Sequence, residues 1–279
     1  MPLSPYKQAI ARIYGARALS YDHSGENAAW HLGLCDTLLS RAALQEGEQV
    51  LDLATGTGTI ALEATRRVGP HGRVVAVDLA PEMLAEAERK AAEQGLSDLI
   101  ALHLSDAEDF RSELRFDHAF CCAALVWMSD MKQAIAHWQA LLRPGGWLHL
   151  QTHSEDAFLA SRVLAEVAAE RGIELRFHRP FGSSSKLRAI LAAAGFEAID
   201  ILEEPDHVEV PVGQVLRSVP QKDSPFPGQE PSPLLNVGDE EWAAIDGETC
   251  ARLEQQARNG VILDSRTSLF ARARRPALA

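Results

Sequence analysis

The sequence lacks the cysteine spacings that metal sites and disulfide frameworks require. Its four cysteines form no C-x-x-C pair, and Cys121 and Cys122 lie in an apolar run typical of a buried strand. We therefore expect four reduced thiols and no metal. The sequence also has no H-E-x-x-H, P-loop lysine or G-x-S-x-G motif, which excludes the metalloprotease, P-loop and serine-hydrolase classes.

Long apolar runs and positive charge are scarce as well. The longest uninterrupted apolar run has ten residues, 119–128, whereas a membrane-spanning helix needs about 20. Residues 1–12 lack the features of a signal peptide, so we expect a cytoplasmic protein. The chain has 27 Lys and Arg against 39 Asp and Glu, and this net charge of −12 repels nucleic acid and anionic lipid. We expect a small-molecule partner, no nucleic acid and no membrane span, in a monomer or a homodimer.

The rest of the composition is that of an ordinary globular chain. Over 279 residues, 46% are hydrophobic and 24% are charged, which excludes a disordered or collagen-like protein. From residue 49 onwards, short apolar runs alternate with helical patterns, and this predicts a mostly parallel sheet with helices on both faces. The predicted strands are 50–53, 74–77, 100–104, 118–122 and 147–151, each apolar enough to be buried on both faces.

Helical patterns with clear start and stop signals separate and follow these strands. The predicted helices are 59–68, 81 to about 95, 131–142 with Ser129 as N-cap, a helix after 183–185 that stops at Gly195, and 239–258. A strand-like run at 268–273 follows the last of them. These elements together predict a doubly wound α/β sheet.

Two regions fall outside this alternation. Residues 1–48 carry helical patterns at 8–19 and 28–44, and we expect them to form an N-terminal helical cap before a core that covers 49–279. Residues 220–233 hold five of the 14 prolines, a composition typical of a loop. We expect the segments of about 154–182 and 205–238 to be lids on the substrate side of the core.

A glycine-rich turn follows the first predicted strand directly. The stretch 52–58 reads DLATGTG and opens the helix 59–68, while Asp78 ends the second strand 20 residues after Gly58. Such a turn, with an acid after the next strand, indicates a nucleotide-cofactor site. By pattern alone, Gly56-x-Gly58-x-x-Ala61 also satisfies the dinucleotide fingerprint that an NAD-binding enzyme would use.

The charge around this turn distinguishes between cofactors. No Lys or Arg occurs from Asp52 to Glu63, so the pyrophosphate of a dinucleotide would meet the like charge of Asp52. Asp78 and Asp106 follow the next two strands at their carboxyl ends, which is the edge where such sheets bind ligands. Because S-adenosylmethionine carries an ammonium and a sulfonium, three acids at one edge suit it better than NAD.

Five ordered motifs over about residues 45–153 resemble those of the class I S-adenosylmethionine-dependent methyltransferases. They are VLDLATGTG at 50–58, VAVDLAPEML at 75–84, SDAE at 105–108, FD at 116–117 and LRPGG at 142–146. The pair Tyr21-Asp22 and the closing segment 261–275 also resemble the ubiquinone and menaquinone C-methyltransferases, which methylate small molecules. The resemblance implies a doubly wound, mostly parallel, seven-stranded Rossmann-like sheet with helices on both faces, an antiparallel last strand, an N-terminal helical cap and a lid insertion.

The resemblance also implies how the cofactor is held. The glycines of the turn let the methionine portion lie on the backbone, Asp52 organises its amino group, and Asp78 accepts from both ribose hydroxyls. Leu79 packs on adenine, and Asp106 reads the adenine edge. The full set of implied cofactor contacts is Asp52, Ala54, Thr55, Gly56, Gly58, Asp78, Leu79, Asp106, Ala107, Cys122, Ala123 and Tyr21. Ala54 replaces the family's usual first glycine, from which we expect a slightly tighter turn and no loss of binding.

Methyl transfer depends on alignment and desolvation more than on a catalytic side chain, because the cofactor's methyl is already activated. A base is needed only where the acceptor must lose a proton. The candidates are His153, which follows the fifth predicted strand, and then His23. The candidate substrate contacts are Trp127, Tyr14 and His31, whereas His103 lies within a strand and is expected to be a core residue.

These observations favour a metal-independent transfer of the methyl of S-adenosylmethionine, giving S-adenosylhomocysteine as the second product. The acceptor would be an oxygen, carbon or nitrogen of a small, largely apolar or aromatic metabolite, as in secondary metabolism, reached by in-line displacement. Two alternatives stay open at this point. One is an NAD-dependent Rossmann oxidoreductase, and the other is a protein of this fold that binds the cofactor without transferring its methyl.

Overall fold

The computed structural model describes residues 3–23 and 26–277 and contains a seven-stranded sheet. The strands of the chain are β1 (Gln49–Leu53), β2 (Arg73–Asp78), β3 (Ile100–Leu104), β4 (Phe116–Cys122), β5 (Leu142–His153), β6 (Glu197–Glu204), β7 (His207–Pro211), β8 (Val261–Ser265) and β9 (Ser268–Arg274). The order in the sheet is β3-β2-β1-β4-β5-β9-β6, with β7 and β8 forming a separate antiparallel pair. The predicted seven-stranded, doubly wound fold is confirmed.

The helices follow the predicted alternation over the first half of the chain. They are α1 (Pro5–Gly15), α2 (Glu26–Ser40), α3 (Thr59–Val68), α4 (Pro81–Glu93), α5 (Met131–Leu141), α6 (Leu159–Ala169), α7 (Ser184–Ala193), α8 (Val212–Arg217) and α9 (Asp239–Gln256). The predicted bounds of α3 agree with the structure. The N-cap of α5 is Asp130 and not Ser129, because the Asp130 carboxylate accepts from the backbone N–H groups of Lys132 and Gln133, each at 3.0 Å.

Parallel pairing brings the carboxyl ends of the central strands to one edge of the sheet. β1 pairs in parallel with β2 and β4, β2 with β3, and β4 with β5. The last strand, β9, runs antiparallel: the Gly145 N–H donates to the Arg275 carbonyl at 3.0 Å, and the Arg275 N–H donates to the Gly146 carbonyl at 2.8 Å. The central strands β1 and β2 are almost wholly buried, as their unbroken apolar runs predict.

The prediction of burial on both faces is wrong for β3. This strand lies at the edge of the sheet, and Leu104 near its end is 63% exposed. His103, predicted to be a core residue, is exposed as well. An edge strand has a neighbour on one side only, so an apolar run there does not imply the double cover that central strands receive.

The chain divides into two compact units. The first comprises Met1–Thr152, Arg188–Leu202 and Phe270–Ala279, and the second His153–Leu187 and Glu203–Leu269. The first unit has a core around Leu38, Phe120 and Phe270, which contains the central strands. The predicted cap of residues 1–48 falls in this unit together with the glycine turn, and its role as a cap remains a prediction.

The second unit contains both predicted lid segments. α6, α8 and α9 build its core with β7 and β8. The proline-rich segment 220–233 forms turns and leads into a short 3-10 helix, Pro233–Asn236, yet Phe226 and Leu234 are fully buried in this core. Buried apolar side chains therefore anchor this segment, which its proline content alone did not predict. Among the described residues, no helix is both long and apolar enough to cross a membrane.

Candidate functional site

The strand ends and the glycine turn build the site. Asp52 lies in β1 one residue before its end, Asp78 is the last residue of β2, and Asp106 follows β3 by two residues. The turn between β1 and α3 takes left-handed backbone angles at three positions, Ala54 (φ 56°), Gly56 (φ 56°) and Gly58 (φ 82°). Glycine tolerates these angles without cost, whereas Ala54 holds one with a Cβ in place.

Asp52 is buried beneath the turn and holds it in shape. Its carboxylate accepts from the Thr55 hydroxyl at 2.6 Å and from the Ala61 N–H at 3.1 Å. Burial raises the pKa of Asp52 to about 7, although both hydrogen bonds favour the ionised form. A carboxyl group with this pKa is poised to lose its proton when a cation comes close.

Asp78 crosses to the turn from the neighbouring strand. Its carboxylate accepts from the Gly56 N–H at 2.8 Å and from the Ala80 N–H at 2.9 Å. Burial raises the pKa of Asp78, while the backbone hydrogen bonds from Ala80, Gly56 and Leu79 oppose that rise. The two acids therefore lie on either side of the glycine turn, each fixed by backbone donors.

Two cavities meet at this turn, and both belong to the first unit. The Asp78 cavity, of about 70 Å³, has Asp78, Leu79 and Met83 in its wall. The Asp52 cavity, of about 60 Å³, has Asp52, Thr55 and Thr57 in its wall. Both are lined by Tyr21, Ala54, Gly56, Cys122 and Ala123. The structure thus brings together nine of the twelve residues that the resemblance implies for the cofactor.

The N-terminal segment supplies the aromatic wall. Tyr14 and Trp127 line the Asp78 cavity with ring centroids 6.0 Å apart in an edge-to-face arrangement. His31 lines the Asp52 cavity, and its Nε2 lies 3.3 Å from the Tyr21 hydroxyl. Burial and the positive charge of Arg17 together lower the pKa of His31 to about 4, so the ring is neutral at pH 7. All three predicted substrate contacts therefore lie at the site.

The predicted Tyr-Asp pair fastens the N-terminal segment to the turn. Asp22 accepts from the Thr57 hydroxyl at 3.0 Å and forms an ion pair with Lys90 of α4. Lys90 also donates to the Thr57 carbonyl at 3.1 Å. Because Thr57 sits between the two glycines of the turn, Asp22 and Lys90 together couple α4, the turn and the N-terminal segment.

Lys7 of α1 lies in the wall of the Asp78 cavity and pairs with two acids. Its Nζ lies 3.1 Å from both carboxylate oxygens of Asp106 and also contacts Glu108. The Lys7 side chain is only 5% exposed, and it lines the Asp78 cavity. Asp106, predicted to read the adenine edge, is thus held by a cation from the N-terminal helix.

Several predicted residues lie away from the two cavities. Gly58 is the N-cap of α3, where an added Cβ would lie 3.0 Å from that of Ala87, so its role in the structure is close packing. The Ala107 carbonyl accepts from Trp138 at 2.9 Å. His23 is exposed in the turn after Tyr21. For these three residues, functional contact with a ligand remains a prediction.

His153 belongs to the second unit and is the last residue of β5. It is 5% exposed and packs against Phe158 and His178, with ring centroids 4.9 Å and 5.7 Å away. Its Nδ1 lies 3.4 Å from the Ser268 hydroxyl. His153 is therefore an enclosed histidine rather than a solvated loop residue, and its catalytic role remains a prediction.

Sequence reasoning missed several residues of the site. Lys7, Ile10 and Met128 line the Asp78 cavity, and Cys35 lines the Asp52 cavity. The Cys35 sulfur lies 4.0 Å from that of Cys122, and this contact together with burial raises the pKa of Cys122 well above its usual range. The apolar stripe of α1 signals burial, but only tertiary structure shows what that stripe covers.

Comparison with known proteins supports the predicted family. Residues 50–146 match a family model described as a methyltransferase domain. The chain is 29% identical over 159 residues to the ubiquinone/menaquinone biosynthesis C-methyltransferase UbiE of Hahella chejuensis, covering 53% of this chain and 61% of the relative. It is 31% identical over 144 residues to the aklanonic acid methyltransferase DauC of Streptomyces sp. strain C5, covering 51% and 64%. Residues 50–146 thus form a methyltransferase domain, and the resemblance of the chain to the class I S-adenosylmethionine-dependent methyltransferases is confirmed.

A solved structure supports the predicted fold over nearly the whole length of the chain. Phosphoethanolamine N-methyltransferase 2 of Haemonchus contortus matches 98% of this chain with a TM-score of 0.61 at 16% identity, over 61% of its own length. The sequence alignments to the two relatives likewise span less than two thirds of those proteins. The predicted family and its relation to the ubiquinone and menaquinone enzymes are confirmed.

The residues of the site fit the cofactor of this family. The two buried acids match a ligand that carries an ammonium and two ribose hydroxyls, and Gly56 has no atom within 4 Å of where a Cβ would stand, so the turn leaves room for a ligand. Lys7 is the cation in the wall of the Asp78 cavity, and Asp106 and Glu108 neutralise it. The predicted cofactor, S-adenosylmethionine, is confirmed by the family, and the NAD-dependent alternative is set aside.

Proposed function

We propose that this methyltransferase transfers the methyl of S-adenosylmethionine to an oxygen, carbon or nitrogen of a small, largely apolar or aromatic metabolite. The cofactor supplies an activated methyl, so the chain has to bind, align and exclude water. The observation that carries this proposal is the pair of cavities that share Gly56, Ala123 and Tyr21, with a buried acid in each.

The wall of the site supports an acceptor with an apolar, flat shape. Tyr14 and Trp127 meet edge to face on one side, and Tyr21 and His31 pack with ring centroids 5.0 Å apart on the other. Aromatic side chains of this kind bind planar apolar ligands through large contact areas. The two relatives, whose names refer to quinone biosynthesis and to aklanonic acid, favour acceptors of the same chemistry.

Tyr21 and His31 give a route for a proton that leaves an acceptor hydroxyl. Burial raises the pKa of Tyr21, so its hydroxyl stays neutral and can both donate and accept. The neutral His31 ring faces that hydroxyl through Nε2 at 3.3 Å, where it can accept the Tyr21 proton. We therefore propose His31, with Tyr21 as intermediary, as the base for hydroxyl acceptors.

The N-terminal segment has to open for ligands to enter. Each cavity measures about 70 Å³ or less, whereas pockets for small ligands measure about 300–1,000 Å³. Lys7 and Tyr14 line the Asp78 cavity, Tyr21 lines both cavities, and all three residues come from the N-terminal segment 3–23. This supports the role predicted for residues 1–48, a cap that opens for cofactor and acceptor and then closes to exclude water.

An acceptor screen tests the proposal. We expect S-adenosylhomocysteine to form from S-adenosylmethionine when the panel contains aklanonic acid or quinol compounds. His31→Gln should lower kcat for hydroxyl acceptors at least tenfold with little change in cofactor affinity, while His71→Gln, at an exposed histidine, serves as the control. Saturable cofactor binding without product from any acceptor would instead favour a protein that binds the cofactor without transferring its methyl.

A further inference from the structure

A third cavity lies at the opposite edge of the sheet from the cofactor site. It measures about 400 Å³ and belongs to the first unit. The start of β5, the amino half of β4 and the end of the antiparallel β9 form its wall, because the amino ends of the parallel strands meet there. We call it the arginine cavity, since Arg41, Arg143, Arg272 and Arg274 line it.

The arginines are only partly neutralised. Arg143 pairs with Asp117 at 2.6 Å, and Arg41 and Arg272 share the single carboxylate of Asp200 at 2.8 Å and 3.1 Å. Arg274 lies against the Trp147 ring, and its Nε donates to the Gly145 carbonyl at 3.2 Å. In a chain with a net charge of −12, four guanidinium groups around one cavity form a local site for an anion.

Two buried histidines in the same wall are joined in a chain of hydrogen bonds. His118 Nε2 lies 3.3 Å from a Glu48 carboxylate oxygen, and His118 Nδ1 lies 2.9 Å from His149 Nε2. Burial lowers the pKa of both histidines. The shift is larger for His149, because a proton on His118 and the charges of Arg272 and Arg41 would repel a proton on its ring. At His118, the carboxylates of Glu48 and Asp117 oppose the shift. Both rings are therefore neutral at pH 7.

The direction of the protons along this chain follows from Glu48. A carboxylate only accepts, so His118 carries its proton on Nε2 and leaves Nδ1 as an acceptor. His149 must then donate from Nε2, and its Nδ1 is left as a bare acceptor. His149 is 2% exposed, and among the described residues no protein donor reaches its Nδ1. Buried acceptors are normally paired, so this atom indicates a ligand that donates a hydrogen bond.

We propose that the arginine cavity binds inorganic phosphate as hydrogen phosphate, through an anionic oxygen held by arginine and an O–H that donates to His149 Nδ1. The Arg side chain presents a planar set of donors that suits phosphate oxygens. Hydrogen phosphate carries an O–H at neutral pH, whereas sulfate, of the same shape and charge, carries none. The site therefore predicts a preference for phosphate over sulfate.

Calorimetric titration of the full-length protein with potassium phosphate and potassium sulfate tests this, at pH 7 and constant ionic strength. We expect saturable phosphate binding and at least fivefold weaker sulfate binding. Arg274→Gln should weaken the binding of both anions at least tenfold, while Arg258→Gln, at an exposed arginine of the second unit, should change neither. Absence of saturable phosphate binding, or equal affinity for the two anions, overturns the proposal.

Two His149 variants test the role of Nδ1. His149→Gln keeps an amide near the position of Nε2 toward His118 and removes the Nδ1 acceptor, so the preference for phosphate should disappear. His149→Asn places an amide oxygen near Nδ1 and should keep that preference. An unchanged preference in His149→Gln overturns the assignment of the acceptor. If that variant does not fold, the comparison of phosphate and sulfate on the wild-type protein still tests the hydrogen bond to His149 Nδ1. The Arg274→Gln variant still tests the contact between arginine and the anion.

Discussion

At the scale of single residues, Asp52 carries the clearest dependence on pH. Its pKa is raised from the ordinary 3.8 to about 7 by burial, so the folded protein binds more protons than the unfolded chain between these values. The contribution of Asp52 to the free energy of unfolding therefore falls as pH rises from about 4 to about 7, and is constant above that.

The same shift predicts proton release when the cofactor binds. The ammonium of S-adenosylmethionine favours the ionised carboxylate, so binding at pH 6 should release up to one proton and binding at pH 8.5 almost none. Affinity should rise with pH, by at most about tenfold per unit below pH 7. Calorimetry in two buffers of different ionisation enthalpy measures the release. Asp52→Asn should abolish the proton release at pH 6. An equal release in that variant would show that another group loses the proton.

Asp78 predicts a second effect on cofactor affinity. Asp78→Asn replaces one charged acceptor by an amide and disturbs the bonds from the Gly56 and Ala80 N–H groups. Charge-assisted hydrogen bonds contribute roughly 1.5–3 kcal/mol each, so the affinity for S-adenosylmethionine should fall at least tenfold. Titration calorimetry measures it, with Asp109→Asn, at an exposed acid, as the control. Affinity equal to that of the parent would show that Asp78 does not hold the ribose.

The positions of the residues around the glycine turn were predictable from the sequence, because the local pattern determines them. A glycine turn with acids at strand ends needs no knowledge of distant contacts, and Asp52 and Asp78 lie where their positions in sequence indicate. Lys7 was not predictable, since its partners Asp106 and Glu108 lie about a hundred residues away in sequence. His149 was missed for the same reason: its environment of buried histidine and arginine is created by pairing of distant strands.

At the scale of elements, the strained backbone of the turn gives a prediction about stability. Ala54 and Ala123 adopt φ angles of 56° and 54°, a region that costs a residue with a Cβ roughly 1–2 kcal/mol. Ala54→Gly should relieve most of this and lose part of the gain to the entropy of the unfolded chain, for a net stabilisation of up to about 1 kcal/mol. Ala61→Gly, inside α3, should destabilise by roughly 0.5–1 kcal/mol. Urea unfolding measures both effects. Destabilisation by Ala54→Gly would contradict the inference that the backbone at Ala54 is strained.

The helix α1 gives a prediction about opening. Lys7→Met keeps the aliphatic stem but removes the charge between Asp106 and Glu108, so residues 3–15 should exchange their amide hydrogens at least tenfold faster. The cofactor should also associate faster, because the entrance opens more often. Hydrogen exchange and stopped-flow binding measure the two effects. Lys132→Met, at an exposed lysine, is the control. Unchanged exchange in α1 would show that this contact does not keep the helix closed.

Elements with regular patterns were predictable, whereas those of the second unit largely were not. The strands β1 to β4 and the helices α3, α4 and α5 lie within about two residues of their predicted bounds, because buried runs and capping residues define them locally. The strands β6, β7 and β8 carry charged residues and lack a clean apolar run, so their pairing is set by tertiary context. The burial of Phe226 in the proline-rich segment 220–233 was likewise not predictable, because it also depends on tertiary packing.

At the scale of the whole molecule, the division into two units predicts where the cofactor acts. The residues of both cofactor cavities belong to the first unit, so S-adenosylmethionine binding should stabilise that unit by RT ln(1 + [L]/Kd), about 2.7 kcal/mol at a hundredfold excess over Kd. Hydrogen exchange should slow in the turn 54–58 and in α1 and α4. The helices α6 and α9, which form the core of the second unit, should keep their rates.

The control for this prediction is NAD at the same concentration, which should leave exchange unchanged in both units because a pyrophosphate would meet Asp52 and Asp78. The measurement is mass spectrometry of amide exchange with and without each ligand. Equal protection of α4 and α9 by S-adenosylmethionine would contradict it, since ligand binding confined to one unit protects the other only when the two open together. If protection is confined to the first unit, the same measurement with the acceptor added tests whether residues of the second unit, such as His153, respond to the acceptor.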